Sequence, residues 1–203
     1  MGVKSNIEYQ LFAYRLLKTY CIPDICEFSN NTESPDIQCD ELDIGIEVTS
    51  AYIKDQGKAE AELEKIKDKR KDDFSANYLE KNSRMRHQIV FLNDRPAVYI
   101  NAGRLNLNDI TYAIKKKIDI LQKEHFKKYK SNRVFVYNKN ELLYLSEEDI
   151  QSISQEITQY QCSKAYRFDI IYIYTKTDRK ENSLWISDLN ENTTKEIINN
   201  LVV

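Results

Sequence analysis

Glycine and proline are scarce in this sequence, at four and three residues. That scarcity argues for long regular elements and few elaborate loops. Histidine is scarcer still. His87 and His125 stand far apart, which leaves little material for a His-based metal site or a Ser-His-Asp triad. The four cysteines, Cys21, Cys26, Cys39 and Cys162, form no CxxC pair and have no histidine cluster beside them. This argues against zinc and predicts reduced, buried thiols. No run approaches the ~18 apolar residues that a membrane span needs. Met1 to Asn6 is polar and leads into a helical pattern, unlike a signal peptide. Charge of one sign is lacking too: the formal net charge is −2, so the chain as a whole supplies no general attraction for polyanions. If it binds nucleic acid, a local patch must do so.

What is present fits a globular protein. With 203 residues, 41% hydrophobic and 31% charged, the chain suits a single domain, 1–203, able to bury a core without staples. A cytoplasmic location is the matching expectation. Ile7, Leu11, Tyr14 and Leu17 recur at helical spacing over residues 6–20, with Asn6 as a candidate cap. A short strand is expected at 24–29. Residues 36–39 and 43–50 read as a hairpin turning at Asp40 to Leu42. A charged helix is expected over 54–73, then a loop or loosely helical stretch over 74–86. Short strands follow at 87–92 and 97–100. A second long helix is expected over 107–129, with Asn108 as cap and Ile110, Ile114, Ile118 and Leu121 as its buried stripe. After it come a strand at 133–137, a helix at 147–160 capped by Ser146, strands at 168–174 and 183–186, and a closing helix at 193–201. Alternating helices and strands predict an α/β fold, a mixed central sheet flanked by helices on both faces.

In the second hairpin strand, Ile44, Ile46 and Val48 alternate onto one face while Gly45, Glu47 and Thr49 take the other. The first set suits a core. The second places Glu47 opposite the strand that carries Asp36, so two carboxylates come within reach of one cation. Without a cation such a pair repels and one member tends to stay protonated. Mg²⁺, which takes one or two carboxylates with waters and substrate phosphates, relieves that conflict. Pro-Asp is also common at turns, which accounts for Asp36 without any chemistry. An acid between Ile46 and Val48 is harder to explain in that way.

Pro35-Asp36 followed by Glu47-Val48-Thr49, with a helix before and a long helix after, resembles the PD-(D/E)XK nuclease superfamily. The likeness covers roughly the first half of the chain in element order; the motif itself is a handful of residues. The resemblance implies a restriction-endonuclease-like αβββαβ core, Mg²⁺ or Mn²⁺ as cofactor, and hydrolysis of nucleic-acid phosphodiesters, DNA more than RNA. It makes Asp36 and Glu47 the metal-binding acids, with the Val48 carbonyl as a further ligand and Glu8 of the first helix as a secondary one. It also allows a homodimer. The family lysine belongs at position 49, where this chain has Thr49, which carries no charge. In this family the lysine can migrate while its tip stays near the metal. Lys54 and Lys58 are the nearest replacements, and Lys117 on the second long helix is a third. The other reading is a catalytically inactive module of the same fold that binds nucleic acid or a partner protein.

Residues 115–130 hold seven lysines, Lys115, Lys116 and Lys117 among them, against Asp119 and Glu124. Such a run can track a phosphate backbone or simply be the solvated face of a helix. The 14 tyrosines and Trp185 read as packing residues.

Overall fold

A computed structural model describes residues 3–28, 35–51, 61–83, 87–100, 107–138, 145–176 and 182–199. The chain divides into two compact units. The larger comprises Met1–Ala51 with Ile110–Val203, and the smaller is Tyr52–Asp109.

The larger unit is α/β. Its helix α1 spans Val3–Tyr20, so Asn6 lies inside the helix rather than capping it. The hairpin forms as expected: β1 is Ile37–Cys39 and β2 is Ile44–Ala51, paired antiparallel with Ile37 opposite Ile46. Asp43 closes its turn in the left-handed region at φ 53°, a conformation that aspartate tolerates better than most residues. The expected strand at 24–29 does not form over the described residues 24–28. Ile25 is buried there, but the Cys26 N–H goes to Cys39 Sγ at 3.2 Å instead of to a ladder partner.

Cys26 and Cys39 are joined by a disulfide, with Cα atoms 5.2 Å apart. This corrects the expectation of reduced thiols: spacing in sequence did not reveal that β1 returns beside the end of the α1 connection. Cys21 and Cys162 are free; Cys21 is half-buried and Cys162 exposed.

The central sheet has six strands in the order β1-β2-β5-β6-β7-β8, where β5 is Ser131–Asn138, β6 Ile170–Lys176, β7 Asn182–Asp188 and β8 Thr193–Asn199. Strands β2, β5 and β6 are parallel; the remaining pairs are antiparallel. The closing helix expected at 193–201 is strand β8. Its β-branched Thr193, Thr194 and Ile197 suit a strand, and Asn192 at φ 53° turns the chain back along β7.

Helix α1 covers one face of the sheet. Leu16, Leu17, Ile44, Ile46, Val48, Phe135, Tyr172 and Tyr174 form that core. On the other face lie α4, Asn108–Leu121, and α5, Glu147–Gln161. Contacts across that face include Lys117 with Glu47 and the Ser154 hydroxyl with Ser187 at 2.7 Å. Ser146 caps α5 as expected, accepting from the Asp149 N–H while the Asp149 carboxylate accepts from the Ser146 N–H. Helix α4 stops at Leu121 rather than reaching residue 129. Beyond it, Gln122 to Lys130 offers Phe126 and Tyr129 to the core but no continuing stripe.

In the smaller unit, residues 61–66 are helical (α2) and Lys71–Asp73 form one 3₁₀ turn. The helix expected to reach 73 ends early because no apolar residue follows Ile66 before Phe74. Ala76–Ser83 is a helix, α3, where a loop or loose helix was expected. Strands β3, His87–Leu92, and β4, Arg95–Ile100, join through Asn93 and Asp94, both left-handed (φ 49° and 62°), as a two-residue hairpin requires. Pro96 therefore lies within β4 and not in the turn. The Asn82 amide bonds the backbone of Ile89 in both directions.

Candidate functional site

Strand β1 has three residues and β2 has eight, so β2 outruns its partner. Where β1 has not yet begun, Asp36 takes over the ladder: its Oδ2 accepts the Val48 N–H at 2.8 Å. The N–H and C=O of a strand residue project to the same side. The Val48 carbonyl therefore faces the same notch. The other oxygen of Asp36, Oδ1, accepts from the Gln10 amide of α1 at 2.6 Å. Two donors thus hold this carboxylate in place.

Glu47 lies on the opposite face of β2, toward α4, in register with Val134. It is 1% exposed. Its Oε2 accepts from the Lys117 ammonium, and its Oε1 is buried with no hydrogen-bond partner. Lys117 Nζ also stands 3.9 Å from Asp36 Oδ2. Burial pushes the Glu47 carboxyl up to about 7; Asp36 adds to the shift and Lys117 opposes it.

Gly45 is needed on the same face. A Cβ there would stand inside contact distance of Tyr129 Cδ2 and 2.7 Å from Pro35 Cγ. The Tyr129 ring covers this end of β2, and its hydroxyl lies 2.6 Å from Asp40 Oδ1 and 3.1 Å from Gln38 Oε1. The hairpin turn is thereby tied to the segment after α4.

The structure brings together Asp36, Glu47, Val48 and Lys117 from the sequence-derived set. Thr49 is half-buried on the Glu47 face of β2. Lys54 and Lys58 lie outside the described residues. Glu8 is exposed on α1. Gln10, which sequence reasoning missed, is the α1 side chain that reaches Asp36. The signal was present: Gln10 falls three residues after Ile7 and four before Tyr14, a polar residue on the apolar stripe. The lysine run is divided. Lys115 pairs with Glu156 at 2.6 Å, with its Nζ 5.1 Å from the Tyr160 ring centre. Lys116 is exposed, Lys117 turns into the site, and Lys127 pairs with Asp40 at 2.6 Å.

Among the described residues no group of three or more His, Cys, Asp or Glu converges as a metal cage, so a cation here would rest on two carboxylates. No helix among them is long and apolar enough to cross a membrane. Comparison with known protein families, characterised proteins and solved structures finds no match for this chain. What fold and site define is a class: an α/β protein with a mixed sheet that sets two carboxylates and a lysine together beside the short edge strand.

Proposed function

We propose that the chain is a divalent-metal-dependent nuclease-like protein that hydrolyses nucleic-acid phosphodiesters. The observation that carries this reading is the meeting of Asp36, Glu47 and Lys117, which supplies from α4 the ammonium that Thr49 lacks. The residues fit a hard cation. Glu47 Oε1 is a buried carboxylate oxygen without a partner, Asp36 shares the Lys117 ammonium with Glu47, and the Val48 carbonyl projects to the side on which its N–H meets Asp36. Asp36 and Glu47 would hold Mg²⁺ or Mn²⁺. Such an ion supplies a more acidic bound water and neutralises charge on a phosphodiester.

The chain's own groups have separable roles in this reading. Gln10 and the Val48 N–H fix the orientation of Asp36. The wall around Glu47 excludes water, which strengthens every charge interaction there. Lys117 places a positive charge beside the carboxylates, where it can offset a phosphate oxygen. Nucleic acid, DNA more than RNA, is the proposed partner, and a homodimer belongs to the same proposal; so does a cytoplasmic setting, against which the Cys26–Cys39 disulfide stands. The restriction-endonuclease-like core is part of the same proposal. One departure stands against it: among the described residues of the larger unit, two strands rather than three separate α1 from α4. That departure is what the second reading rests on: an inactive module of the same fold that holds nucleic acid or a protein.

Incubation with single- and double-stranded DNA and RNA in Mg²⁺ and Mn²⁺ separates the two. Cutting by the wild type that Asp36→Asn lowers by about a hundredfold or more is the expected result. Undiminished cutting by Asp36→Asn, or none by the wild type on any substrate, refutes the catalytic reading.

A further inference from the structure

The Asp36–Glu47 pair does not face its notch without a counter-charge. Lys117 reaches it from α4, hydrogen-bonded to Glu47 Oε2 and 3.9 Å from Asp36 Oδ2. The two carboxylates are held differently. Asp36 has neutral donors on both oxygens, the Gln10 amide and the Val48 N–H. Glu47 has Lys117 on one oxygen and nothing on the other. The compensation of a buried charge therefore falls on one flexible side chain. The lysine side chain is 20% exposed, so it has a way toward water. Neighbouring lysines are engaged elsewhere: Lys115 with Glu156 and Lys127 with Asp40.

We propose that Lys117 is the built-in counter-cation of this carboxylate pair, and that a divalent ion binds by displacing its ammonium from Glu47. This rests on the metal-dependent reading above and adds to it how the site is kept before the ion arrives. An ion on the free Oε1 would share the single negative charge of Glu47 with the ammonium on Oε2, and two cations on one buried carboxylate repel. Whatever the lysine contributes to stabilising the pair is subtracted from the affinity of the ion. A lysine that only props the fold, or only helps to assemble the site, has the opposite effect: its loss weakens ion binding.

The test is calorimetric titration of Mn²⁺ alone into wild type, Lys117→Met, Lys117→Gln, Lys117→Arg and Asp36→Asn at pH 8, each variant first shown to melt cooperatively. Lys117→Met is expected to bind Mn²⁺ about tenfold more tightly than wild type, since the competing pair is gone. Lys117→Gln keeps some polar reach without charge and guards against a packing defect in the Met variant; it is expected to move the same way. Lys117→Arg, with the charge restored, returns toward wild type. Asp36→Asn loses binding. Equal or weaker binding by both neutral variants, with wild type still binding through Asp36, overturns the counter-cation role and leaves the metal reading standing. No Mn²⁺ binding by wild type or by either neutral variant overturns both.

Discussion

Glu47→Gln is expected to stabilise the protein, by an amount that grows above about pH 4.5 and is complete from about pH 7 upward. The folded chain holds the Glu47 carboxyl up to about 7, against an ordinary 4.5, chiefly because burial strips its charged form of water. Between those two values the folded state binds a proton that the unfolded state has released. Stability from this residue is therefore full below about 4.5 and is lost as pH rises toward 7, after which the penalty is constant. The difference corresponds to about 3 kcal/mol at pH 8 and under about 1 kcal/mol at pH 5. Glutamine copies the protonated carboxyl in shape and never ionises, so it avoids that cost. For a chain of this size the gain at pH 8 is a rise in Tm of roughly 6–12 °C. Melting curves of both proteins at pH 5 and pH 8, in a chelator, measure it. A variant no more stable than wild type at pH 8, or one stabilised equally at both pH values, refutes the reasoning. A gain at pH 8 well above that at pH 5 marks Glu47 as a residue kept at a cost to stability, the usual sign of a functional group.

Two other outcomes follow from packing and covalent structure. Gly45→Ala forces a Cβ to within 2.7 Å of Pro35 Cγ and 3.0 Å of Tyr129 Cε2, and should cost about 1–3 kcal/mol in urea unfolding. Reducing the Cys26–Cys39 link, or replacing both residues with serine, should cost about 3 kcal/mol by loop-closure entropy, since 13 positions separate the pair; an unchanged urea midpoint with and without reductant refutes it.

The parts of the fold written in short-range signals were legible from the sequence. The β1–β2 hairpin followed from alternation around a turn, and α5 from its Ser146 and Asp149 capping box. Asp36 and Glu47 came together for the same reason: the hairpin is local, and Ile37 paired with Ile46 leaves the residue before one beside the residue after the other. Where a stretch is decided by its neighbours, periodicity misled. Thr193 to Leu201 sets Ile197 and Ile198 four and three residues before Leu201, spacings a helix could use, yet β7 offered it a ladder. The lysine run looked like one helix because charge does not say where a helix ends; Leu121 is its last buried position. Lys117 was one lysine among three candidates, since its partner lies 70 residues away and no local pattern selects it. Gln10 went unnoticed because a lone amide on an apolar stripe has meaning only once Asp36 is seen against it.

The smaller unit sits in sequence between the strand that carries Glu47 and the helix that carries Lys117. The parallel pairing of β2 with β5 therefore joins Ile44 to Ser131 across the whole insertion. Closing so long a loop comes before any reward from the contacts it makes, and pairings of this kind form slowly. The β1–β2 hairpin, by contrast, can close locally and early. In a chain where only the hairpin has closed, Asp36 and Glu47 are neighbours in water with no lysine between them; docking of α4 removes the water and supplies the ammonium together. A contact made at that later step weighs mainly on the unfolding rate, whereas the hairpin turn, closed before it, weighs on the refolding rate. Loss of Lys117 should therefore speed unfolding and leave refolding close to wild type.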